Sequence, residues 1–144
     1  MATEAPPTLP PISYLPSLPT ASRTKILDLL FEPSVPLHTL ALPLTTPGSP
    51  TARDFSSYDD LIIAIGLQLT ELAESASTSD TEWLDKILGA HPRLGAKKVE
   101  SALSRGEQAA MEKASGSGDA EEEARVLGEL NEEYERAFPG LRYV

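Results

Sequence analysis

His91-Pro92-Arg93-Leu94-Gly95 and the later run Ser104-Arg105-Gly106-Glu107-Gln108 hold the residues best suited to chemistry in this chain of 144 residues. The first supplies an imidazole, in a protein with only two histidines, and the second supplies a carboxylate. Histidine is the side chain whose unperturbed pKa lies near neutral pH, so it can serve as general acid or base. Proline after His91 disfavours the α region at that histidine and places the ring in an extended segment beyond a helix ending near Gly89. A carboxylate carried by a different element could orient such a ring.

Each group also has a purely structural reading. An imidazolium at the C-terminal end of a helix over Trp83–Leu88 is favoured by the helix dipole, by about 0.3–1 kcal/mol. Ser104-x-x-Glu107 has the form of a capping box, in which the serine hydroxyl meets an N3 amide and the glutamate reaches back to the serine amide. The two readings of Glu107 are compatible, because one carboxylate oxygen can cap while the other holds a ring.

Lys86, Arg93, Lys97, Lys98 and Arg105 form a basic island around both candidate groups in a chain of formal charge −10. That island would tolerate an anionic small molecule, and it equally suits an exposed, soluble turn. The overall acidity argues against nucleic acid and against anionic membrane surfaces, since both reward lysine and arginine clusters. The second histidine, His38, could complete a two-histidine, one-carboxylate metal set with His91 and Glu107. The spacing does not support this, and a backbone hydrogen bond can satisfy a lone histidine in a leucine-rich loop; no metal site is expected. Cysteine is absent, which excludes thiol catalysis, disulfides and thiolate-bound zinc. No glycine-rich phosphate loop, G-x-S-x-G or H-E-x-x-H motif occurs.

The elements that must position these residues read as helices. Eleven of the 13 prolines fall in the first fifty positions, so residues 1–20 are expected to form a proline-rich flexible arm that packs late or not at all. A short helix capped by Ser22 follows, with Ile26, Leu27, Leu30 and Phe31 on one face and Pro33 as its stop. Residues 33–55 read as an irregular loop that buries leucines. The clearest helix runs from about Ser57 to Ser75, capped by Ser56 or Ser57, with Asp59 and Asp60 in its first turn and Tyr58, Leu61, Ile62, Ile65, Leu69 and Leu72 as a core stripe.

Ser79 or Asp80 is expected to cap the next helix, with Trp83, Leu84, Ile87 and Leu88 inward and Gly89 at its end. A further helix over Ser104–Ala114 is broken by Gly116 and Gly118. The last, from about Asp119 to Ala137, sets Ala120, Ala124, Leu127, Leu130 and Tyr134 on one face opposite a glutamate-rich, solvated face. No segment shows sustained period-two alternation. An all-α single domain over residues 21–144 results. The apolar stretch from Leu61 to Leu72 is interrupted by Gln68, Thr70 and Glu71 and cannot span a bilayer. The N-terminal residues lack the basic and apolar regions of a secretion signal, so an intracellular protein, cytoplasmic or peroxisomal, is expected.

His91-Pro92-Arg93-Leu94-Gly95, Ser104-x-x-Glu107-Gln108, Leu130-Asn131-Glu132-Glu133-Tyr134 and Phe138-Pro139 resemble, in order and spacing, the OHCU decarboxylases. The full name is 2-oxo-4-hydroxy-4-carboxy-5-ureidoimidazoline decarboxylase. Phe31-Glu32-Pro33-Ser34 is similar to the family's early Phe-Glu-x-Ser. The similarity covers roughly residues 22–144, and the proline-rich loop looks like the fungal branch.

The resemblance implies an all-helical carboxy-lyase of urate breakdown that needs no cofactor and converts OHCU to (S)-allantoin. It implies His91 as catalytic acid/base and Glu107 as its carboxylate partner, with Pro92, Ser104, Gln108 and Tyr143 lining the substrate pocket. A homodimer is also suggested. The family pattern continues past Val144 with an arginine and a terminal helix, so a C-terminally truncated domain with impaired activity is expected. The alternative is a non-catalytic helical interaction domain that keeps the same scaffold.

Overall fold

A computed structural model describes residues 7–95, 101–114 and 119–143. The described residues form a short 3-10 helix, Ile12–Ser17, and six α-helices. These are α1 (Thr20–Leu30), α2 (Val35–Thr45), α3 (Tyr58–Glu74), α4 (Thr78–Leu88), α5 (Ala102–Ala114) and α6 (Ala120–Ala137). No strand occurs among the described residues, in line with the all-α reading.

The proline-rich arm packs over its described part. Ile12, Leu15 and Leu18 recur every three residues, the period of a 3-10 helix, and Leu15 enters the core at 2% exposure. Tyr58 at the start of α3 donates its hydroxyl to the Pro10 carbonyl at 2.8 Å. Burial pushes that phenol pKa up, so it remains a donor.

The expected loop after Pro33 is instead α2. Ser34 caps it by accepting the Leu37 amide, and a proline occupies the first turn, where a missing N–H costs nothing. Leu37, Ala41 and Leu44 then recur at four and three residues and are buried. Pro43 falls in the last turn. Nearby, the buried Arg23 of α1 bonds the Thr45 and Thr46 hydroxyls at 3.3 and 2.8 Å, a cation at the negative end of α2. The second histidine, His38, is satisfied by the Asp28 side chain at 2.5 Å rather than by backbone, which joins α2 to α1.

In α3 the expected cap and acidic first turn are present: Ser57 accepts the Asp60 amide at 3.2 Å. Leu61 and Ile65 are fully buried, while Ile62 lies at the rim. For α1 and α4 the expected caps fail. The former begins after Pro19 with Ser22 inside it, and the latter follows Ser77 without a side-chain cap, because Asp80 accepts from Ser75 instead. Ile87 is the buried residue of α4; Trp83 and Leu88 are exposed.

Helices α1 to α4 pack on one another, and α5 contacts α1. Every buried hydrophobic residue among those described lies between Leu15 and Ile87. Asp119 caps helix α6, accepting the Glu121 and Glu122 amides. Its expected apolar stripe is not buried: Leu130 is 56% exposed, and the buried residue of this helix is Asn131.

Candidate functional site

Residues 91–95 form a turn beyond the end of α4, and polar side chains from two helices grip it. Gln108 of α5 donates to the Arg93 carbonyl at 3.2 Å. Asn131 of α6, buried, donates to the Leu94 carbonyl at 2.9 Å. Arg93 itself forms a two-pronged pair with Glu135 of α6, both contacts at 2.7 Å. This guanidinium holds the Glu135 carboxyl below the usual carboxylate range. Arg93 is therefore a structural tie in this arrangement, and the basic island loses one free charge. Lys97 and Lys98 lie outside the described residues.

Two glycines make the grip feasible. Gly95 has φ of +75°, and a Cβ there would also lie 2.5 Å from the Leu127 side chain of α6. Gly89, at the end of α4, has ordinary right-handed φ; a Cβ there would stand 2.5 Å from the Gly140 carbonyl oxygen. It is a glycine for close approach rather than for a left-handed cap.

His91 is half-buried, and its Nδ1 lies 2.9 Å from the Pro92 carbonyl. A carbonyl can only accept, so Nδ1 carries the proton, and in the neutral ring Nε2 is the basic nitrogen. The ring makes no other hydrogen bond among the described residues. Proline at 92 thus stiffens the backbone and presents the oxygen that sets the tautomer.

Helix α5 begins earlier than expected. Ser101 is its cap and accepts the Ser104 amide at 3.1 Å. Ser104 lies inside the helix, so the Ser104–Glu107 capping box does not form. The buried Ser104 gives its hydroxyl proton to Glu32, as does Ser101 at 2.8 Å. Glu107 is exposed and makes no hydrogen bond or ion pair among the described residues, with His91 or otherwise. The Gln108 bond to Arg93 nevertheless brings its helix against the turn that carries His91.

Tyr143 stacks edge-on against Tyr134 of α6 at 5.6 Å, and Tyr134 meets Phe138 at 4.8 Å. Glu32 had no assigned role from its residue type or spacing; the only pointer was the Phe31-Glu32-Pro33-Ser34 similarity. A cavity of about 170 Å³ elsewhere, lined by residues including Ile12, Thr45, Arg53 and Phe55, involves none of these side chains. No cluster of three potential metal-ligating side chains occurs among the described residues. No helix among them is long and apolar enough to cross a membrane.

No curated protein and no solved structure matches this chain. The sequence profile described as OHCU decarboxylase matches residues 16–144, a span that holds the turn, both helices that grip it and Glu32. The chain belongs to the OHCU decarboxylase family, and so to the decarboxylating lyases of purine degradation.

Proposed function

We propose that this protein converts OHCU to (S)-allantoin without a cofactor, with His91 moving the proton. The observation that carries this reading is the His91 ring, fixed through Nδ1 to Pro92 and free at Nε2, on a turn clamped by α5 and α6. When the C–C bond to the carboxylate breaks, its electron pair passes into the adjacent C=N unit of the ring. A proton is then added to one face of the carbon bearing the ureido group, and the hydroxyl-bearing carbon becomes the ring carbonyl. A single imidazole nitrogen in a fixed orientation suits protonation of one face.

Glu107 is the carboxylate that orients the working ring and balances its charge as substrate enters. Exposed and without a partner among the described residues, it is free to approach the ring and offset the charge of the imidazolium, with Nε2 kept for the substrate. Ser104 lies one turn earlier on the same helix face as Glu107 and Gln108. With its proton committed to Glu32, its oxygen is left as an acceptor for a ligand N–H. Pro92, Gln108 and Tyr143 complete the lining.

Freshly generated OHCU, followed by circular dichroism for (S)-allantoin, tests the assignment. His91→Asn and Glu107→Gln should each lower turnover by about 10²–10⁴-fold, while unfolding free energy stays within about 1 kcal/mol. Turnover retained by His91→Asn would rule out this histidine as the proton carrier.

A further inference from the structure

We propose that Glu32 is a positioning residue of this site, acting through Ser101 and Ser104 on the helix that bears Glu107 and Gln108. The inference rests on the decarboxylase reading above. Glu32 belongs to the short connection between α1 and α2, far in sequence from α5. One of its carboxylate oxygens, Oε1, accepts both serine hydroxyls. The Ser101 oxygen in turn accepts the Ser104 amide, so the cap of α5 and the carboxylate form one continuous set of bonds. The negative group stands at the positive end of a 13-residue helix, where the dipole favours it.

This linkage joins the two parts of the molecule at a defined register. On one side, the α1–α2 pair is fixed by its apolar core and by the His38–Asp28 bond. On the other, Ser104 is one turn from Glu107 and Gln108, and Gln108 holds the carbonyl two residues beyond His91. The two serine hydroxyls could be satisfied by many local acceptors, including carbonyls of their own helix. A carboxylate delivered from a distant connection instead fixes where α5 starts and how it is rotated. Glu32 is not a catalytic residue here, because Oε1 is occupied by α5 and the effect reaches the reacting atoms only through that helix.

The experiment compares the parent chain with Glu32→Ala, Glu32→Gln, Ser101→Ala/Ser104→Ala and the combined triple substitution. Glu32→Ala should lower kcat by about 100-fold, as expected for slight misplacement of a reacting group, with KM within about threefold. Glu32→Gln keeps an acceptor oxygen at the same place and should restore most of kcat. In the background lacking both hydroxyls, Glu32→Ala should add little, because its partners are already gone. Amide hydrogen exchange across α5 should quicken in Glu32→Ala and return toward the parent in Glu32→Gln.

An unchanged kcat in Glu32→Ala, failure of glutamine to restore it, or an equal loss in the serine-free background would each overturn the proposal. A parent chain that does not turn over OHCU would instead overturn the proposed function. Amide exchange would then still decide whether Glu32 holds α5.

Discussion

Residues 12–88 and residues 89–143 are held together by different forces. The first region buries Leu15, Ile26, Leu37, Leu61 and Ile65 in a continuous apolar core. The second has no fully buried hydrophobic residue among those described; its buried side chains are Ser104 and Asn131. Directional bonds do the holding there: Gln108 and Asn131 to turn carbonyls, Arg93 to Glu135, and two serines to Glu32. Apolar packing tolerates small shifts, because dispersion and burial depend weakly on angle. Hydrogen bonds weaken steeply with misalignment, so they hold the turn that carries His91 in one geometry. The proposed chemistry sits on the part whose geometry is set by bonds, supported by the part whose stability comes from burial.

Replacing a core leucine should break the contrast most visibly. Leu61 is fully buried in α3, so Leu61→Ala should cost about 2–5 kcal/mol through lost transfer energy and the cavity left behind. Leu130 of α6, at 56% exposure, should give a change within about 0.5 kcal/mol on the same substitution. Urea unfolding of the two variants measures both. A large loss at Leu130 would mean that the α6 stripe is covered after all, and the division into two regimes would fail.

Asn131 probes the polar half directly. Asn131→Asp keeps the shape but turns the Nδ2 donor into an acceptor facing the Leu94 carbonyl. With that part-buried carbonyl unpaired beside a buried side chain, the expected cost is about 1–3 kcal/mol. Turnover should fall further than the loss of folded protein explains, because this bond orients the turn that carries His91. Measuring kcat under conditions where the variant remains fully folded separates the two effects. Equal kcat in parent and variant would show that the turn keeps its geometry without Asn131.

The legibility of the sequence follows the same division. Helix α3 was readable because its cap, acidic first turn and 3.6-residue stripe agree, and its environment is the core that such a stripe presupposes. Helix α2 is hidden in the sequence because Pro36 and Pro43 interrupt the leucines of the expected loop, although one occupies a first turn and the other a last turn, where proline is better tolerated. In the site, the helix bearing Glu107 and the turn bearing His91 were legible from local signals. The cap of α5 was not: Ser101 and Ser104 are the same residue type one turn apart, and Glu107 completes a box from the wrong one. What selects Ser101 is tertiary, since the Ser104 hydroxyl goes to a carboxylate 72 positions away. The apolar faces of α4 and α6 read as core, because periodicity reports which side is apolar and not whether anything covers it.

The smallest expected effect concerns the Arg93–Glu135 pair, and its sign is fixed by the direction of the shift. The Arg93 guanidinium lowers the Glu135 pKa, chiefly through the hydrogen bonds and then through charge attraction. A carboxyl depressed in the folded state stabilises the fold above its unfolded pKa, about 4.3, and that contribution is lost as pH falls through the lowered folded value. Parent and Glu135→Gln should therefore differ at neutral pH and converge in acid. The Glu122 carboxyl, lowered by Arg125 within α6, gives the same slope in both proteins and cancels in the comparison. Both members of the Arg93 pair are partly exposed, at 37% and 26% of their side-chain surface, so the difference should be small and should shrink in salt. Urea midpoints across the acid range provide the measurement. Convergence at high pH instead of low pH would contradict the assigned shift, and a difference rivalling that of Leu61→Ala would mean that an exposed ion pair, rather than the aligned amide bonds, anchors the turn that carries His91.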